Sequence, residues 1–356
     1  MVVYSGVIGV LFILRYALAQ NMVLRNQLYY PVIFALFVFS AFRFQVGCDW
    51  FGYYIQYQKS ANADLSLILT GREPVWWIIL SWVQNRGLPY PVANVISSAI
   101  FFIGVHALAK RQPDPLGFVI LLLPVLIINM PMSAIRQGAA IGLLCFAFNA
   151  FTDRRPIMFT LWVFLAAGFH ASALVFLLLL PLTVGRYTKA RLFLAGLLSI
   201  PGVILLVTGV TAEAAISGYL QDVREAYGAM YRIGFILLSA FYFFFFVRTK
   251  WKTRFPRDYS LVSLGAIGMV LTVVLFPVSS IVADRFGYYL VPLQTMIFAR
   301  LPFLSFRFNQ TLHSCAPYVG LLVFFFAWAH FSLHFEKCYL PYNTWIFGIP
   351  NGSMLR

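Results

Sequence analysis

The sequence predicts an all-α polytopic membrane protein, and three observations predict it. Hydrophobic residues make up 61% of the 356-residue chain and charged residues only 10%, whereas about a quarter of the residues in a soluble globular chain are charged. The mean hydropathy is +0.83. The 26 basic residues outnumber the 11 acidic ones and sit in short clusters between apolar segments, as the positive-inside rule expects of cytoplasmic loops. The same clustering argues against nucleic acid as the partner of the +15 net charge.

Apolar runs of the roughly 17 to 25 residues that span a bilayer fall near 2–19, 27–44, 90–109, 115–131, 133–151, 190–210, 231–248, 259–277, 286–303 and 313–332. Two shorter runs, 156–169 and 171–184, flank His170. The first run ends in Ala17-Leu18-Ala19, which resembles a signal-peptidase site, but its positive charges, Arg15 and Arg25, lie at its end instead of ahead of it. It therefore reads as a first span with its N-terminus outside. Between the runs lie Lys110-Arg111, Asp153-Arg154-Arg155, Arg186 to Arg191 and Arg248 to Arg257, all assigned to the cytoplasm.

Pro74 to Gln84 is apolar but only about eleven residues long, the length of a re-entrant or interfacial helix. Reading 74–88 as re-entrant keeps every basic cluster inside, with about 16 of the 26 basic residues cytoplasmic. The expectation is about twelve transmembrane helices plus one short re-entrant helix in a single integral membrane domain, with external loops at 45–73 and 210–230. The two segments beside His170 have about 14 residues each, or roughly 21 Å of α-helix. His170 is accordingly expected at the floor of a cavity open to the outside.

This topology gathers Arg43, Asp49, Tyr53, Tyr57, Glu73, Arg136, His170, Asp284 and Arg285 on the external side. Charge at membrane depth is costly, which makes such a grouping a candidate site. Arginines at helix ends often snorkel, but several guanidinium forks around one cavity also suit an anionic group such as a diphosphate. A lone histidine in an apolar span is often a packed residue, yet His170 lies at a helix tip. Glu73, ahead of Pro74, suits a helix N-terminus or a general base. Asp284 and Arg285 read as a local ion pair or as part of the site. The Tyr and Trp residues at 50–57 and 76–82 read as an interfacial belt or as a platform for sugar rings, and Phe241 to Phe246 as lipid-facing packing. Cys48, Cys145, Cys315 and Cys338 form no CxxC pair or metal-type spacing and read as packing residues.

The elements Arg43-x-x-Val46-Gly47-x-Asp49-x-x-x-Tyr53, Glu73 before a short helix, Arg136-Gln137, Phe169-His170-x-Ser172-Ala173 and Asp284-Arg285-x-x-Tyr288 resemble, in order, the EpsG family of bacterial polysaccharide polymerases, of the Wzy-type O-antigen polymerase group. The resemblance covers about residues 40–290. It implies a GT-C-like architecture in the bacterial inner membrane, with the active site facing the periplasm. It further implies inverting, metal-independent glycosyl transfer without a cofactor, acting on undecaprenyl-diphosphate-linked oligosaccharide repeat units. Arg43, Arg136 and Arg285 would hold the diphosphate, and Tyr53, Tyr57, Gln137 and Tyr288 the sugars. His170, Glu73 and Asp49 compete for the base, the first two ranking ahead. Membrane lipid and a chain-length co-polymerase are the other candidate partners.

Three other classes stay open at this point. An O-antigen ligase shares the donor but usually carries a long periplasmic loop, and the external loops here have only about 20 to 30 residues. A lipid-linked oligosaccharide transporter would place polar residues at the midplane of both halves. An acyltransferase would more often put His and Arg at the cytoplasmic face. The topology is tested by single cysteines: Asn62→Cys and Ala212→Cys should label from outside, and Thr253→Cys only after permeabilisation.

Overall fold

Each of the twelve apolar runs is helical in the computed structural model, which describes residues 1–356 apart from 20, 63, 218–227, 278, 307–308 and 350–356. Among the described residues, six helices are long and apolar enough to cross a membrane: Met22–Ala41, Pro91–Ala109, Ile135–Thr152, Lys189–Thr208, Ala229–Arg254 and Gln310–Phe331. Five apolar helices are shorter, namely Val2–Ala17, Pro115–Ile127, Pro156–Phe169, Ala171–Leu182 and Tyr259–Leu275. The twelfth run lies on Ser280–Ala299, whose 20 residues include Asp284 and Arg285. Ala171–Leu182 is a 12-residue 3₁₀ helix. At about 2.0 Å per residue it extends roughly 24 Å, against roughly 18 Å as an α-helix.

Packing centres on Ile135–Thr152, of which 83% is buried. It crosses Pro91–Ala109 with backbones nearly touching: a Cβ on Gly104 would lie 1.8 Å from the Gly142 carbonyl oxygen, and one on Gly142 would lie 2.6 Å from Phe101 Cα. Small residues at a helix crossing allow this approach, which in lipid substitutes close packing for a hydrophobic driving force.

Three of the four loops assigned to the cytoplasm, those carrying Arg111, Asp153 and Arg257, converge at one end. Arg111 donates to both Asp153 oxygens at 2.8 Å, and Arg257 Nη2 reaches Oδ1 at 2.6 Å. The Arg111 hydrogen bond, outweighing partial burial, holds the Asp153 carboxyl below the usual carboxylate range. Its stabilisation is present at neutral pH and is lost as pH falls through that depressed value. Arg300 donates to the residues next along from Arg111 and Arg257, to Gln112 Oε1 at 2.8 Å and Asp258 Oδ2 at 2.5 Å, and Asp114 pairs with both Arg25 and Arg15. The 19 residues of Pro91–Ala109 separate this end from Tyr90 by about 28 Å.

At the other end, the stretch 45–73 is largely folded, where an external loop was expected. Trp50–Lys59, Ser60–Asn62 and Leu65–Thr70 are short helices, followed by Pro74–Asn85 in the place of the expected re-entrant segment. The reason is aromatic packing: Phe44, Trp50, Tyr53, Tyr54, Trp76 and Tyr90 form one buried cluster with Leu80, Val83 and Ile135. In the expected loop 210–230, the helix beginning at Lys189 continues to Ser217, and 218–227 lie outside the described residues.

Gly104→Ala should therefore lower the thermal stability of the detergent-purified chain by about 1–3 kcal/mol, the usual cost of overpacking. Gly6→Ala, with nothing within 4 Å of the added Cβ, should leave it unchanged or slightly higher.

Candidate functional site

Glu73 adopts the left-handed conformation (φ 61°) and caps Pro74–Asn85, with Pro74 at its first position. A non-glycine residue held there is locally strained, a state that persists only where its surroundings impose it. The surroundings are an ion pair and a backbone donor. Glu73 Oε2 pairs with Arg136 Nη1, and Oε1 accepts from the Ala171 N–H at 3.3 Å. The two side chains are only 10% and 12% exposed, so each charge depends on the other for compensation. Arg136 opens the central helix as its second residue. Its guanidinium lies over the Tyr53 ring at 5.3 Å, and Tyr53 meets Trp76 edge-on at 5.4 Å.

His170 joins two helices at an extended residue (φ −147°, ψ 107°). Its Nδ1 is 2.8 Å from Ser172 Oγ, which is 2.9 Å from the Tyr289 hydroxyl. The same Nδ1 is 3.9 Å from Glu73 Oε1. Glu73, Arg285 and Arg136 all lie within electrostatic reach of that hydroxyl. Gln137 Nε2 donates to the Arg285 carbonyl at 2.7 Å, tying the central helix to Ser280–Ala299. His170 is only 8% exposed. The expected open cavity floor is not found at this residue: Ser172 and Glu73 lie on the Nδ1 side of the imidazole, and the Tyr289 ring meets it edge-on at 6.3 Å.

Ser280–Ala299 serves two clusters from adjacent stripes, since residues four apart share a helix face. Arg285 and Tyr289 belong to the His170 cluster. Asp284 and Tyr288 face Arg232, which donates to Asp284 through Nε and Nη2, both at 2.7 Å, and lies over the Tyr288 ring at 5.4 Å. Asp284 thus pairs with Arg232 in a two-toothed bridge. Below it, Phe235, Ile236, Val291 and Phe324 help to line a cavity of ≈ 10 Å³, about one water in size.

The structure brings together Glu73, Arg136, His170, Tyr53, Gln137 and Arg285. Arg43 is held elsewhere. It is 1% exposed, and its Nε donates to the Val46 and Met132 carbonyls at 3.0 and 2.7 Å while Nη1 donates to Ser40 at 2.9 Å. Asp49 is exposed at the start of Trp50–Lys59, within electrostatic reach of the Tyr90 and Tyr339 hydroxyls. Tyr57 donates to the Leu88 carbonyl at 2.7 Å. Trp76 and Trp50 are 0% and 4% exposed and act as packing, Trp76 against Tyr53 and Trp50 against Phe44, Tyr54 and Tyr90. Phe245 and Phe246 are exposed as expected, while Phe243 is fully buried.

Sequence reasoning missed Tyr289 and Arg232. Arg232 carried the same signal as the other candidates, a basic residue near the external end of an apolar run. The reading of the cysteines needs correction: Cys48 and Cys338 are joined as a disulfide, with Cα atoms 4.7 Å apart. A separation of 290 residues leaves no local spacing to detect, whereas Cys145 is buried as expected.

Arg43 and Arg285 should separate by experiment. Arg43→Lys forfeits charge-assisted hydrogen bonds worth about 1.5–3 kcal/mol each and should lower folded abundance in membranes. Arg285→Lys should leave abundance near wild type, as measured by fluorescence-detected size exclusion.

A family model described as the EpsG family matches residues 27–344. No curated protein and no solved structure matches the chain significantly. The family is related to Wzy-like polymerases, and with the apolar helices it marks a membrane-embedded protein with a polysaccharide polymerase-like, broadly glycosyltransferase-like role. The match extends over nearly the whole length, and the chain belongs to the EpsG family.

Proposed function

We propose that this protein polymerises undecaprenyl-diphosphate-linked oligosaccharide repeat units into O-antigen or exopolysaccharide at the periplasmic face of the bacterial inner membrane, by inverting, metal-independent glycosyl transfer. The observation that carries this reading is the meeting of Glu73, Arg136, His170 and the Arg285 end of Ser280–Ala299 at one end of the helices, in a chain of this family. The Cys48–Cys338 disulfide at the same end supports a periplasmic orientation, because disulfides persist in oxidising compartments.

In this mechanism His170 is the general base. A proton on Nδ1 would be donated to Ser172 Oγ at 2.8 Å and favoured by the Glu73 carboxylate at 3.9 Å, and that tautomer makes Nε2 the accepting atom. The acceptor hydroxyl gives its proton to Nε2 as its oxygen bonds to the anomeric carbon of the donor. The bond from that carbon to the diphosphate oxygen breaks, and its electron pair leaves with the diphosphate. Arg136 and Arg285, joined by Arg232, stabilise the charge that develops. Glu73 orients Arg136 and the imidazole, and Arg43 positions the loop beneath. Tyr53, Gln137 and Tyr288 shape the sugar site, with Asp49 and Tyr57 at its rim.

Purified protein given a lipid-linked repeat unit in EDTA should build polymer. His170→Gln should lose about 10²- to 10⁴-fold, the usual contribution of a general base. Arg285→Lys should lose most turnover, because an ammonium does not reproduce the guanidinium fork. Wild-type polymer from both variants, or loss of wild-type activity in EDTA, would refute the mechanism.

A further inference from the structure

The sulfur chemistry at the external end is independent of the transfer reaction. Cys48 is exposed and Cys338 half-buried, so the bond between them is open to a reagent from the aqueous side. His334, one helical turn before Cys338 on Leu333–Tyr339, places Nε2 3.2 Å from Cys48 Sγ. The two sulfurs and the imidazole nitrogen all lie within 4.8 Å of one another. An imidazole N–H at that distance stabilises a thiolate on Cys48 more than it stabilises the disulfide, and a stabilised thiolate is a better leaving group.

The bond also closes a strap. The Gly47 N–H donates to the Cys338 carbonyl at 2.7 Å, Phe44 N–H to Asn343 at 2.8 Å and Trp345 N–H to Phe42 at 3.0 Å, so 338–345 runs along 42–48. That loop admits little variation. Gly47 has φ +101°, and a Cβ there would lie 2.0 Å from the Met132 carbonyl oxygen, the oxygen that accepts from Arg43. Exposure, an imidazole on one sulfur and a backbone strap on both flanks set this disulfide apart from a purely structural staple.

We propose that Cys48–Cys338 is a thiol–disulfide exchange site for an external dithiol, with His334 directing the chemistry. A thiolate of the dithiol attacks Cys338 Sγ, the Cys48–Cys338 bond breaks, and its electron pair leaves on Cys48 beside the imidazole. The second thiol of the dithiol then displaces Cys338 from the mixed disulfide. Two electrons and two protons pass to the cysteine pair, and the dithiol becomes a disulfide. The reverse reaction recloses the strap.

The test uses the full chain in membranes, reduced by dithiothreitol for timed intervals, quenched in acid, alkylated and read by peptide mass spectrometry. Neither cysteine should be alkylated before reduction, and both should be afterwards. His334→Gln should slow opening about three- to tenfold, because the thiolate leaving on Cys48 loses the imidazole N–H that stabilises it. His330→Gln, on the preceding helix, should not slow it. Wild-type protein treated with glutathione gives a readout that needs no variant: the adduct should sit on Cys338, with Cys48 alkylated. Alkylation of both cysteines without reductant, wild-type kinetics in His334→Gln, or an adduct on Cys48 would each overturn the proposal.

Discussion

Two opposite charges buried together, Glu73 and Arg136, constrain the end of the helices that holds His170. Removing either from water alone costs several kcal/mol, so the pair forms only if the short helix beginning at Pro74 and the central helix beginning at Ile135 arrive with their ends in register. Glu73 meets that demand by accepting a left-handed backbone. The same carboxylate receives the Ala171 N–H, which fixes the break between the two helices around His170. One carboxylate therefore positions a cation, a helix start and an imidazole.

The bilayer explains why the rest of the charge is arranged as it is. The ion-paired clusters lie at the two ends of the helices, and between them the described interior is mostly apolar, with scattered buried Ser, Thr, Asn and Gln side chains. At one end Asp153, Asp258 and Asp114 each hold one or two arginines. At the other, Glu73 and Asp284 hold Arg136 and Arg232. Burying a carboxylate with a guanidinium satisfies both ions, and doing so in loops tied across distant sequence fastens helices that lipid alone would not drive together. The backbone contact of Gly104 with Gly142 does the corresponding work between the two ends without charge.

Much of this was legible in the sequence. Apolar length located all twelve helical stretches, and the expectation that polar residues share one end matches the meeting of Glu73, Arg136 and His170. What was not legible depended on direction. An arginine at a helix end has the same sequence signature whether it reaches solvent or, like Arg43, turns inward to cap carbonyls. Tyr288 and Tyr289 are neighbours in sequence yet point about 100° apart on a helix, and the hydroxyl beside Ser172 and His170 belongs to the second. The stretch 45–73 looked like a loop because its helices are short and aromatic, held by tertiary packing and not by propensity. The Cys48–Cys338 pair was hidden by separation alone.

The central claim is that Glu73 and Arg136 act as one unit, and a double-mutant cycle measures it most directly. Thermal stability would be compared for the purified wild type, Glu73→Gln, Arg136→Gln and the double variant. Each single change should cost about 3–5 kcal/mol by leaving one buried charge uncompensated, and the double should recover a large part of that loss. Single losses that simply add in the double variant would contradict the account.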